Sequence, residues 1–179
     1  MDQLCIGTKA GIKAAVRAIS EIFNADDTEG LLLVDARNAF NALNHAATLW
    51  NCCLLWPRCA MFLFNSYRGY ATIIVRSSEQ GPVKGRRQLM AIYSKEGTTQ
   101  GCPLAMLQYA VGVHPLIMRL KDPLKHIQNW YADDSACTGL LLRIRDWLMQ
   151  LMEIGPSYGY YVESSKNIIA VKDAIMTLQ

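Results

Sequence analysis

The sequence predicts an α+β fold, a small antiparallel or mixed sheet with helices packed mainly on one face. Two observations lead there. Segments whose apolar residues recur at three- and four-residue steps alternate with short runs rich in β-branched residues. A chain of 179 residues with 51% apolar and 18% charged content also has the length and the material for one packed core.

Each element follows from its own pattern. From Thr8 to Phe23, the residues Ile12, Ala15, Val16, Ile19 and Phe23 mark an amphipathic helix, which Asn24-Ala25-Asp26-Asp27 then stops. Leu31–Val34 is a continuous apolar run ending abruptly at Asp35, as in a strand buried on both faces. Asn38–Trp50 has helical spacing, and Pro57 can open a further helix to about Tyr67. Ala71–Arg76 is β-branched enough for a strand, and Leu89–Tyr93 can return as its hairpin partner after the turn chemistry of residues 77–82. Pro103 sits where a helix start tolerates it, and Leu104, Leu107, Ala110 and Val111 carry that helix toward Met118. Ile127–Ala132 and Ser135–Thr138 read as a hairpin turning at Asp133-Asp134. Leu140–Ile154 follows as a helix and Asn167–Val171 as the last strand.

The net charge of +3 is too small for a protein that grips nucleic acid by bulk charge. The basicity is local. Arg76, Lys84, Arg86, Arg87 and Lys95 face only Glu79 in residues 76–95, so this hairpin or insertion is the candidate phosphate-tracking segment, with Tyr93 as a stacking group. A solubilising surface insertion is the competing account of it.

The six cysteines show no C-x-x-C pairing and no short-spaced Cys/His set for zinc, so they read as reduced, mostly buried thiols. No basic-then-apolar leader is present, and the longest uncharged stretches are broken by asparagines, Gln108, His114 and prolines. The expectation is therefore an intracellular protein, nuclear or cytoplasmic, with no membrane partner. His45 and His114 lack the partner spacing of a catalytic triad, which weakens hydrolase readings.

The chemistry-bearing residues are carboxylates. Asp35 ends one apolar strand, and Asp133 with Asp134 occupies the turn of a later hairpin, so pairing these strands would gather three acids. Such a cluster repels itself when empty, and hard-oxygen ligation of divalent metal keeps it charged. Two metals ~3.5–4 Å apart suit an in-line phosphoryl displacement. Asp-Asp is also a good turn dipeptide, and an aspartate at a strand end also serves as a helix cap. Period-2 alternation puts Asp133 on the face of Tyr131 and Asp134 on the other, which ranks Asp35 and Asp133 first.

Leu33-Val34-Asp35-Ala36-Arg37-Asn38-Ala39-Phe40-Asn41, Gly97-Thr98-Thr99-Gln100-Gly101-Cys102-Pro103-Leu104 and Tyr131-Ala132-Asp133-Asp134, in that order, resemble motifs A, B and C of reverse transcriptases. Gly155 through Lys166 is similar to the following motif D, and Gln3 through Gly11 to the Gln-x-x-x-Gly element ahead of motif A. The wording Gln-Gly-Cys-Pro-Leu is nearest to non-LTR retrotransposon enzymes.

The resemblance implies a polymerase palm with a ferredoxin-like sheet, residues 1–179 forming one unit, and RNA-directed DNA polymerase activity. It implies two Mg²⁺ ions, with Mn²⁺ as a substitute, held by Asp35, Asp133 and Asp134 with the carbonyl of Ala36. Lys166 would neutralise or protonate departing pyrophosphate. Phe40 would be the steric gate against a ribose 2′-hydroxyl. Gly97, Gln100 and Gly101 would let the backbone approach the nascent base pair, and Tyr131 would lie at the substrate. The implied partners are an RNA template, a DNA or RNA primer and deoxynucleoside triphosphates, together with fingers and thumb segments of a larger polyprotein. The pattern departs from its relatives at Asn41, where many carry a second acid, and at Asn167, where threonine is common. A catalytically silent palm acting as an RNA-binding or interaction module is the alternative. An RNA-templated RNA polymerase ranks last, because Phe40 and Ala132 both depart from its pattern.

Overall fold

The computed structural model describes residues 10–25, 27–76, 89–99 and 101–172. In chain order the elements are α1 (Gly11–Asn24), β1 (Gly30–Val34), α2 (Ala39–Ala42), α3 (His45–Leu55), α4 (Pro57–Tyr67), β2 (Ala71–Arg76), β3 (Leu89–Ser94), α5 (Ala105–Leu120), β4 (His126–Tyr131), β5 (Asp134–Gly139), α6 (Leu141–Ile154) and β6 (Ile168–Val171). The fold is α+β, as expected.

The main sheet has the order β4-β5-β1-β6, and every neighbouring pair is antiparallel. Strand, helices, hairpin, helix and strand thus form a split β-α-β with β5 inserted between β1 and β4, the ferredoxin-like order. Leu32 lies opposite Cys137 and Val34 opposite Ser135, and on β4 Gln128 and Trp130 take up the same face. These side chains are buried with Val113, Leu116 and Ile117 of α5 and with Ile144, Trp147 and Leu151 of α6. Gln128 and Trp147 on this inner side are paired with each other. Trp147 Nε1 donates to Gln128 Oε1 at 3.0 Å, and Gln128 Nε2 donates to the Ile117 carbonyl at 2.8 Å.

The second face is only partly covered. α1 lies over β4 and β5, while Leu33 of β1 remains 39% exposed. The expectation that β1 is buried on both faces is corrected: its burial alternates, because Leu32 and Val34 face α5 and α6 while α1 on the other side packs on β4 and β5. The expected helix over residues 38–50 also divides. Asn44 caps α3 by accepting from Ala47 N at 2.8 Å, and this local bond ends α2 four residues after it begins. α5 starts at Ala105, two residues after Pro103.

β2 and β3 pair as a separate hairpin, with Arg76 opposite Leu89 and Ala71 opposite Ser94. Of the five cysteines among the described residues, Cys52 and Cys137 are buried while Cys53 is exposed, so burial is less general than composition suggested. Burial pushes the Cys52 thiol up to about 11 and Cys137 to about 12, which keeps both protonated. Among the described residues no helix is long and apolar enough to cross a membrane.

Candidate functional site

Asp35 follows the last residue of β1, where Val34 pairs with Ser135. Continuing that register brings Asp35 beside Asp134, which in turn pairs with Tyr131 across β4 and β5. Asp35, Asp134 and Tyr131 therefore meet at one corner of the open face. The turn itself is Ala132-Asp133, with Ala132 at φ 54°, so Asp134 is already the first residue of β5. This corrects the expected turn at Asp133-Asp134 and the expected facing. A two-residue turn restarts the alternation, and it is Asp134 that shares the face of Tyr131.

Opposite this corner runs the segment before β6. Arg37 N donates to the Tyr161 carbonyl at 2.7 Å and Glu163 N to the Asp35 carbonyl at 2.9 Å, with Ala36 and Val162 bridged between them. Lys166 Nζ then reaches Asp35 Oδ2 at 2.7 Å. A cavity of about 380 Å³ opens here, with Asp35, Asp134, Tyr131 and Lys166 at its polar end and Ala15, Ile19 and Leu33 among its apolar walls.

The charges at this corner are under-compensated. Burial, then the Asp35 charge, pushes the Asp133 carboxyl above its ordinary value, with Lys166 pulling the other way. Asp134 is raised by burial and by both other acids. The hydrogen bond and charge of Asp35 push the Lys166 ammonium up, so it stays cationic. Three carboxylates thus feel one another with one exposed ammonium among them.

The donor set fits a hard divalent cation in oxygen type and in charge. In this arrangement Asp35 is engaged by Lys166, and among the described residues no group of three or more Asp, Glu, His or Cys side chains is placed to hold a metal ion. A cation entering here meets Lys166 as its competitor.

The remaining expected residues divide. Ala36 is buried beside the corner. Phe40, half-buried on α2, stacks on Tyr109 of α5 with centroids 4.7 Å apart and planes at 31°. Tyr109 in turn feels the charges of all three aspartates, which ties Phe40 to the corner through one ring. Gly97 serves an approach within the protein: at φ 86° its missing Cβ would stand 2.5 Å from Asn41 Cα, and Gly97 N donates to the Leu43 carbonyl at 2.8 Å. Gly101 also has φ 86° but faces open space. Gln100, Lys84, Arg86 and Arg87 lie outside the described residues. Arg76 is exposed at the end of β2, and Lys95 holds its ammonium 5.6 Å from the Tyr70 ring centroid. These two cations belong to the hairpin and are not gathered with the acids.

Residues that the sequence reading did not select also shape the site. Tyr160 donates to the Asp133 carbonyl at 2.9 Å. His45 Nε2 contacts the Gly97 carbonyl, and His45 N donates to Glu96 Oε2 at 2.6 Å, tying the start of α3 to the loop before α5. Asn167 Oδ1 accepts from Asp35 N at 3.4 Å. Their one sequence signal is proximity to the motif-like segments, since each acts through a long-range contact.

No sequence-family model matches the chain, and no curated protein matches it. Among solved structures it is similar to telomerase from Candida albicans in complex with a TWJ fragment of telomeric RNA, with TM-score 0.57 and 13% identity, covering 96% of this chain and 32% of that one. It is similar also to apo telomerase from Candida tropicalis truncated from its C-terminal domain, with TM-score 0.56 and 14% identity over 93% of this chain and 36% of that one. The Candida tropicalis enzyme with the TWJ fragment gives 0.55 and 13% over 93% and 30%. The chain spans about a third of the length of the telomerase chains it matches. At such identities the likeness is one of fold alone.

Proposed function

We propose that the chain is the palm of a retroelement RNA-directed DNA polymerase, related to the non-LTR retrotransposon enzymes, which adds deoxynucleotides to a primer 3′-hydroxyl. The observation that carries this reading is the approach of Asp35 and Asp134, from segments far apart in the chain, at one sheet corner that lines a cavity with Lys166, with Asp133 in the adjoining turn close enough to feel the charge of Asp35. Asp35 and Asp133 would hold two Mg²⁺ ions, or Mn²⁺ in their place, with Asp134 and the Ala36 carbonyl assisting. When bound, such ions supply the charge that makes the primer hydroxyl a better nucleophile and steadies the leaving oxygen. Lys166, tethered at this corner, places a cation where departing pyrophosphate gathers charge. Phe40 backs onto Tyr109 and presents a ring that excludes a 2′-hydroxyl.

An RNA template and a nucleic acid primer are the proposed partners. The telomeric RNA fragment bound to two of the similar structures supports that class of ligand, and exposed Arg76 and Lys95 suit phosphate contact. Fingers and thumb segments of a longer polyprotein would complete the enzyme. The engagement of Asp35 by Lys166 favours a second reading, a catalytically silent module that binds RNA or protein.

Primer extension on an RNA template separates them, with this chain alone and joined to the flanking sequence of its longer protein. Synthesis that depends on deoxynucleotides and disappears in Asp133→Asn supports the polymerase. Absence of synthesis in both lengths overturns it and leaves the module.

A further inference from the structure

The turn that carries Asp133 rests on one buried hydroxyl. Tyr160 is fully buried, its Oη donates to the Asp133 carbonyl at 2.9 Å, and Ser135 Oγ lies 3.1 Å away. A phenol has a single proton, so with that proton given to Asp133 the Ser135 hydroxyl donates to Tyr160.

Tyr160 is itself held from several sides. Its ring meets Trp130 of β4 at 5.3 Å and 69°, and its backbone N donates to the Gly155 carbonyl at 3.0 Å. Gly159 before it has φ 79°, and a Cβ there would stand 2.0 Å from the Ala42 carbonyl oxygen. The position of the hydroxyl is therefore set by β4, by the 3-10 turn Gly155–Tyr158 and by the end of α2 together.

We propose that Tyr160 is the positioning residue of the carboxylate corner: its hydroxyl fixes the Asp133 carbonyl, and with it the direction in which the Asp133 carboxylate leaves the turn. A tyrosine kept only to fill the core would be replaceable by phenylalanine. Removing the oxygen instead leaves the Asp133 carbonyl without this donor, so the peptide between Asp133 and Asp134 can turn. A displacement of ~1 Å in a reacting group costs up to ~10²-fold in rate. The consequence for rate rests on the polymerase reading; the hold on the turn does not.

The test compares Tyr160→Phe and Ser135→Ala with the parent chain by amide exchange at residues 132–134 and by primer-extension kinetics in the flanked length. Tyr160→Phe is expected to speed exchange in the turn by ~10-fold while amides of α5 and α6 stay within about twofold. It should lower kcat ~10–100-fold with the KM for deoxynucleotide within about twofold. Ser135→Ala keeps the bond from Tyr160 to Asp133 and should stay within about threefold of the parent. The parent should also show a slowly exchanging Tyr160 hydroxyl proton by NMR, which keeps the inference testable if Tyr160→Phe does not fold.

A variant matching the parent in turn exchange and in kcat overturns the inference, and so does a parent without a protected hydroxyl proton. If the parent extends no primer while exchange in the variant rises as stated, the polymerase reading falls and the hold on the turn stands.

Discussion

Lys166 Nζ stands 2.7 Å from Asp35 Oδ2, so the segment before β6 places its cation on the acid that ends β1. On the proposed reading a divalent ion competes with this ammonium for Asp35, so Lys166 is both tether and competitor. Lys166→Met should therefore bind Mn²⁺ up to ~5-fold more tightly, the scale of one exposed ion pair, while primer extension falls. Titration of free Mn²⁺ by electron paramagnetic resonance, run beside the extension assay, reads both. Equal Mn²⁺ affinity would show that the pair does not guard the site.

Asp133→Asn should cost at least ~10³-fold in extension rate, or ~4 kcal/mol of transition-state stabilisation. It should also melt higher than the parent at pH 7 without divalent ions. The folded Asp133 carboxyl is raised above its ordinary value, so the folded state binds the proton better than the unfolded state does. Its penalty is absent below the unfolded value near ~3.9 and is complete once pH has risen past the folded value. Because Asp133 is partly solvated, the gain stays under ~1 kcal/mol, or ~2–4 °C, and should vanish toward pH ~3. Thermal melts at the two pH values check the sign.

Phe40→Ala should admit ribonucleotides, since removing the ring opens the space beside the sugar. The same change takes away the stack on Tyr109, so a loss of ~2–4 kcal/mol in stability is expected alongside. Competition between a deoxynucleotide and its ribonucleotide, assayed well below the melting point, decides the matter. Unchanged sugar selectivity would retire the gate.

Gly97→Ala and Gly101→Ala should differ although both glycines have φ 86°. Each incurs the left-handed penalty of ~1–2 kcal/mol. At Gly97 the added carbon also meets the backbone of Asn41 at 2.5 Å, adding ~1–3 kcal/mol of overpacking, whereas at Gly101 it meets nothing within 4 Å. Urea denaturation should show the larger loss at Gly97.

Much of this molecule is legible in its residues. Pro57 opens α4 as expected, the β2 and β3 hairpin pairs as expected, and the three- and four-residue spacing of Ile144, Leu148 and Leu151 gives α6 its buried side. The acids at 35, 133 and 134 could be singled out because each sits at a strand end or turn, where periodicity stops. The burial of β1 could not be read, because an apolar run looks the same whether one face or two are covered. Leu33 is open because, among the described residues, the helix on its side, α1, packs on β4 and β5.

Local chemistry, then, settled which segments become helix or strand and which side chains can carry charge, since both depend on neighbours within a few positions. The tertiary structure alone decided that Asp134 shares the face of Tyr131, that Lys166 binds Asp35, and that Tyr160 reaches up to Asp133. Each of those depends on strand register and on packing between distant segments, and a one-residue shift of a turn reverses every side chain after it.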